Sequence, residues 1–98
     1  MPAAFLVVES SITNPEQFKH YMAAAPVAVK QFLGEYLVRG GRMQVLEGDW
    51  QPPRLTVLRY PSFEQAQAMY NSPAYTQARA LRDGATACFN MVLVEGVE

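Results

Sequence analysis

The chain has 98 residues, half of them hydrophobic, and a net charge of −1 with both signs interspersed. That length sets one domain, residues 1–98, and the even charge excludes the basic stripe of a nucleic-acid binder and the like-charge block of a membrane-surface segment. A lone cysteine, Cys88, excludes an internal disulfide framework; in the run TACFNMVLV it is expected to be a buried, inert thiol. The opening MPAAFLVVESS has neither a basic leader nor an apolar run of membrane-spanning length. It predicts no signal peptide and no membrane span, and the default location is the cytoplasm.

In chain order, FLVVES (5–10) is short, apolar and β-branched enough for a buried strand. TNPEQF then carries a helix start. Asn14 caps, Pro15 takes the first helical position and Gln17 stands where a capping-box partner belongs. Phe18, Tyr21, Met22 and Ala25 follow at helical spacing on one apolar face. Pro26 predicts a kink or a short second helix, with Val29, Phe32 and Leu33 inward and Gly34 at the end. EYLVR (35–39) is a second strand, Gly40 and Gly41 mark a bulge or sharp bend, MQVLEG (43–48) continues as a strand, and GDWQPP is a loop. RLTVLRY (54–60) is the third main strand. Ser62 and Gln65 form a second capping box ahead of the stripe Phe63, Ala66, Met69 and Tyr70. Asn71-Ser72-Pro73 breaks and restarts the helix, which is expected to run to about Arg82 and end near Gly84. CFNMVLVEG (88–96) is the last strand.

The order β α β (β) β α β is that of an α+β, ferredoxin-like βαββαβ domain, an antiparallel sheet with two helices on one face. Neither sheet face is polar. Phe5 and Val7 oppose Leu6 and Val8; Phe89, Met91 and Leu93 oppose Asn90, Val92 and Val94. Strands apolar on both faces are covered on both faces. With helices for only one, the other is expected to meet a second copy, giving a homodimer packed sheet to sheet.

The segments GEYLVRGG (34–41), VLEGDW (45–50), RLTVLRYPSFEQA (54–66), MYNSPAYTQARALR (69–82) and LVEG (93–96) together resemble the domain-of-unknown-function 1330 family over nearly the whole chain. That family is similar in fold to the dimeric α/β-barrel group. The group includes cofactor-free quinone-forming monooxygenases, muconolactone isomerase-like enzymes and haem-handling proteins. The resemblance implies the fold and the dimer; it transmits no activity, because the fold hosts many. By motif position it implies Arg39, Glu47, Arg54, Tyr70, Ser72, Tyr75 and Arg82 as the recurrent polar residues. Ala74-Tyr75-Thr76 departs from the family pattern, which has an acidic residue before the Tyr and Gln after it.

Arginine outnumbers lysine six to two, and its planar fork suits carboxylates and other oxyanions. Arg39, on the Leu37 side of an apolar strand, needs a partner: an anionic or carbonyl-bearing ligand, or Glu47 in a structural ion pair. Glu47 closes the apolar MQVLE and is either an acid–base carboxylate or that pair's other half. Tyr75, Arg79 and Arg82 at i, i+4 and i+7 form either an anion-binding helix stripe or an ordinary boundary. Ser72 either caps the helix or helps receive an oxyanion. Trp50 is a pocket lid or an interface residue. His20 falls on the solvent side of its helix, and with no second His a His-based metal cluster is excluded. No phosphate-binding, dinucleotide-binding or nucleophile-elbow motif is present, so no cofactor is expected.

Two functions are compatible with these residues. In the first, a small, partly apolar metabolite carrying a carboxylate, enol or phenol is bound or transformed in a dimeric α/β-barrel pocket. Arg39, Arg54, Ser72 and Arg82 contact it, Trp50 and Tyr70 form walls, and Glu47 or Tyr75 handles a proton. In the second, the same Arg–Glu–Tyr set is a polar network fixing a non-catalytic dimeric module. Convergence of Arg39 and Glu47 on a cavity marks the first; direct pairing with no void marks the second.

Overall fold

A computed structural model describes residues 2–98. Four strands, β1 (Ala4–Ile12), β2 (Glu35–Arg39), β3 (Leu55–Tyr60) and β4 (Thr86–Glu95), form one sheet in the order β2-β3-β1-β4. Every neighbouring pair is antiparallel. Helix α1 (Pro15–Gln31) connects β1 to β2, and α2 (Phe63–Tyr70) with α3 (Pro73–Ala80) connects β3 to β4. This is the ferredoxin-like arrangement. Alternation along β1 separates its faces: Ala4, Leu6, Val8 and Ser10 are buried, and the residues between them are half-buried. Leu6, Val8, Leu58 and Tyr60 pack beneath Ala25, Ala28 and Val29 of α1, Ala66 and Met69 of α2, and Tyr75 of α3.

The helix starts follow their caps. The Asn14 side chain accepts from the Gln17 amide at 3.1 Å, and the Ser62 hydroxyl from the Gln65 amide at 3.1 Å. Ser72 accepts from the Tyr75 amide and donates to the Met69 carbonyl, so it joins the end of α2 to the start of α3.

Three expectations about the elements change. Helix α1 runs through Pro26 without a break. Proline removes one hydrogen bond, that of the carbonyl four residues earlier, Met22. That carbonyl accepts from Arg39 Nη2 at 2.9 Å instead, so the helix continues. Leu33, expected inside, is 68% exposed with φ 64°. It holds the left-handed position of a helix-ending motif in which the Leu33 amide bonds the Lys30 carbonyl and the Gly34 amide the Val29 carbonyl. Gly34 serves close packing: a Cβ there would sit 2.5 Å from the Tyr60 ring and 2.7 Å from Val29. MQVLEG is not a strand but part of a long connection, residues 40–54. Both edges of β3, the strand it leads into, are already taken by β2 and β1, so the segment forms no hairpin with β3.

The sheet face away from the helices is apolar and open. Val38, Val57, Val7 and Val92 stand opposite one another across all four strands. Val92 is 61% exposed, Val94 48% and Leu37 51%. Trp50 leans from the 40–54 connection toward this face, its indole donating to Glu9 at 3.1 Å, and Asn90 donates to the other Glu9 oxygen at 3.0 Å. Cys88 is half-buried rather than buried, and His20 is exposed.

Candidate functional site

Between sheet and helices lies a cavity with about 40 Å³ open to water-sized atoms, room for roughly three waters or a short apolar group. Leu6, Val8, Leu58, Met69 and Met91 give it apolar walls; Arg39, Arg54, Tyr21, Tyr36 and Tyr75 supply most of its polar lining. No acidic residue lines it.

A bulge puts Arg39 there. The β2–β3 register shifts between Tyr36 and Val38, leaving Leu37 as the extra residue. Tyr36 and Arg39 then share the helix side of the sheet, and Leu37 and Val38 are exposed. Arg39 therefore does not share a face with Leu37, as strict alternation implies. Its guanidinium lies 4.6 Å from the Tyr36 ring centre and is held by the Met22 carbonyl. Arg54 precedes β3, with its guanidinium against Gly40: a Cβ at Gly40 would lie 3.0 Å from Arg54 Cζ. Among the described residues, neither Arg39 nor Arg54 pairs with a carboxylate; the ion pairs are Lys19–Glu16 and Arg59–Glu35.

Deeper in, the Tyr21 and Tyr75 hydroxyls are 2.7 Å apart, joining α1 to α3. Burial raises Tyr21 well above the ordinary tyrosine pKa, and nearby Tyr75 adds to this against the opposing Arg82. Burial also raises Tyr36, opposed by Arg39, and Tyr60, where Tyr36 and Tyr75 add to it. Among the described residues, the buried Tyr60 hydroxyl has no partner. All three are therefore neutral at physiological pH, and the two that line the cavity, Tyr21 and Tyr36, offer hydrogen bonds rather than a phenolate base.

These raised values make stability fall in alkali. Unfolded tyrosine ionises near 10.0, while the folded chain keeps its proton. The contribution is fully present below that pH and is lost above it, by up to about 1.4 kcal/mol per pH unit for each tyrosine held neutral. Urea midpoints at pH 8, 10 and 11 should fall less steeply in Tyr21→Phe than in wild type. Parallel curves would show that Tyr21 ionises as readily folded as unfolded.

The predicted site residues separate into groups. Arg39, Arg54 and Tyr75 meet at the cavity. Glu47 and Trp50 lie on the 40–54 connection, lining an open groove with Met43, Leu46 and Pro52. Glu47 thus neither pairs with Arg39 nor joins it at the cavity. Tyr70 borders a separate cleft beside α2 and accepts from Arg79 Nη1 at 2.7 Å. Arg82 lies beyond the end of α3, its guanidinium 3.6 Å from the Phe89 ring centre and 5.2 Å from that of Tyr21. Tyr75, Arg79 and Arg82 therefore do not form one wall. Ser72 is occupied by capping. Tyr21 and Tyr36 were not expected at the site; their hydrophobic spacing reads as core, and only their hydroxyls signal otherwise.

Among the described residues no three His, Cys, Asp or Glu side chains are grouped to hold a metal, and no helix is long and apolar enough to cross a membrane.

The sheet order, the helices on one face and the cavity between them define an α+β, ferredoxin-like protein. The chain belongs to the family described as domain of unknown function 1330, whose profile matches residues 3–97. No curated protein matches it in sequence. Its fold is shared with a protein of unknown function from Rhodopseudomonas palustris at 16% identity, covering 99% of this chain and 84% of that one, TM-score 0.78. A dimeric ferredoxin-like protein of unknown function from Thermobifida fusca is 15% identical over 97% of this chain and 92% of that one, TM-score 0.66. A Caulobacter crescentus protein described as a candidate antibiotic biosynthesis monooxygenase is 16% identical over 99% and 92%, TM-score 0.62.

Proposed function

We propose that this protein is a homodimer that binds a small, partly apolar, anionic or carbonyl-bearing metabolite between its sheet and helices. The observation carrying the reading is a cavity bordered by two arginines without carboxylate partners and lined by no acid. An apolar wall with a few convergent polar groups is the common form of a small-ligand site. The apolar body enters the cavity, its charge stays with Arg39 and Arg54, and the neutral tyrosines donate to a carbonyl or enol oxygen. Such donors suit a reaction that develops negative charge on oxygen, so proton transfer is the first activity to assay. Oxygenation is the second, prompted by the description of the Caulobacter protein. The valine row on the open sheet face and the dimeric description of the Thermobifida protein support the homodimer.

A thermal-shift screen with small carboxylates, phenols and lactones tests the binding. A ligand at about ten times its Kd adds about 1.4 kcal/mol, or roughly 6–11 °C for a domain this size. That shift should disappear in Arg39→Ala. The alternative, a structural polar network, has its support in the Arg39–Met22 bond. It predicts no stabilising compound and a large stability loss in the same variant.

A further inference from the structure

We propose that Arg39 and Arg54 form one carboxylate clamp, and that Pro26 and Gly40 are its positioning residues. The inference rests on the ligand-binding reading above and narrows its ligand to a carboxylate.

Each arginine is placed by a residue that breaks a backbone rule. An alanine at position 26 would donate its amide to the Met22 carbonyl; Pro26 has none to give. The freed carbonyl takes one Arg39 N–H at 2.9 Å while Tyr36 lies 4.6 Å from the guanidinium carbon. A guanidinium has five donors, so four remain for a ligand. Gly40 has φ +69°, and its missing side chain leaves the space that the Arg54 guanidinium occupies, with Cζ 3.0 Å and both terminal nitrogens 3.2 Å from where a Cβ would be. Gly40 directly follows Arg39, and its amide bonds the Leu55 carbonyl at 2.9 Å, which fixes the two arginines in one neighbourhood. Both line the same acid-free cavity. Two planar forks with free donors match the two oxygens of a carboxylate. A neutral amide of the same shape offers one acceptor oxygen and presents its own N–H donors to cations.

The test is a titration of the full chain with 3-methylbutanoate and, separately, 3-methylbutanamide, followed by backbone-amide NMR shifts well below the melting temperature. In wild type the acid should bind at least about ten-fold tighter, as expected for a hydrogen bond to a charged group. Arg39→Met and Arg54→Met should each remove that preference. Pro26→Ala should stay folded, because the restored helix amide replaces Arg39 on the Met22 carbonyl, yet lose most of the preference. Gly40→Ala should reduce the preference in the wild-type background and change nothing further when Arg54→Met is present. The acid-to-amide ratio is the readout because a fold-wide loss weakens both ligands alike. Acid and amide binding equally to wild type would overturn the clamp and leave the pocket standing. An unchanged ratio in Pro26→Ala would overturn the positioning role. If neither probe moves any resonance, the binding reading fails and the clamp with it.

Discussion

Val92→Asp is expected to convert the proposed homodimer to monomers. Val92 ends the row Val38–Val57–Val7–Val92, which crosses the full width of the helix-free sheet face. At 61% exposure it contributes little to the protomer's own core, so the isolated fold tolerates a charge there. An interface that covers the row does not. Desolvating an unpaired carboxylate costs at least about 3 kcal/mol, which weakens association by a factor above ~100 for each one buried. Val57→Asp, nearer the middle of the row, should act in the same direction. Val92→Thr keeps the shape and can leave its hydroxyl bonded to backbone, so it should stay dimeric. Sedimentation equilibrium separates these outcomes. A monomeric wild type, or dimerisation of Val92→Asp with wild-type affinity, would rule out this face as the interface.

Much of that face was legible in the sequence, because strand alternation is strict wherever no residue is inserted. Phe5 and Val7 against Leu6 and Val8 implied two apolar faces, and the sheet has them: one lies under the helices and the other is open. Helix starts were equally legible: Asn14, Ser62 and Ser72 each make the cap their spacing implied. The site was less so. One inserted residue, Leu37, moves Arg39 to the other face, and nothing in EYLVR distinguishes a bulged strand from a regular one. MQVLEG has the composition of a strand, but a strand needs a neighbour, and neighbours are set by topology rather than by local sequence. That error carried Glu47 into a site it does not reach. Arg79 and Arg82 separate because α3 ends at Ala80, two residues short of the expected end. Pro26 signalled an interrupted helix; the sequence could not show that a strand arginine would take the carbonyl it frees.

Tyr75 should prove among the residues least tolerant of truncation. It is 2% exposed, and its ring lies 5.5 Å from that of Tyr70 and 6.3 Å from that of Tyr21. Tyr75→Ala empties a large part of the core where α3 meets the sheet, at a cost of about 3–5 kcal/mol by analogy with buried aromatic truncations. Set against a total of roughly 5–15 kcal/mol for a whole domain, that leaves the protomer near unfolding. Tyr75→Phe isolates the hydroxyl. It keeps the ring and strands the Tyr21 hydroxyl without its 2.7 Å partner, which should cost about 1–2 kcal/mol, or roughly 4–16 °C in melting temperature. Tyr21→Phe should behave alike. The double variant Tyr21→Phe/Tyr75→Phe decides between a fastener and two independent contacts. Removing both hydroxyls leaves neither stranded, so its loss should be smaller than the sum of the single losses. Melting curves of the four proteins measure this directly. Additive losses would mean that each phenol has a separate partner and that the α1–α3 bond contributes nothing as a pair. A sub-additive loss would place the pair's energy in the shared hydrogen bond. Both phenols line the cavity, so any compound that stabilises wild type through them should stabilise the double variant less.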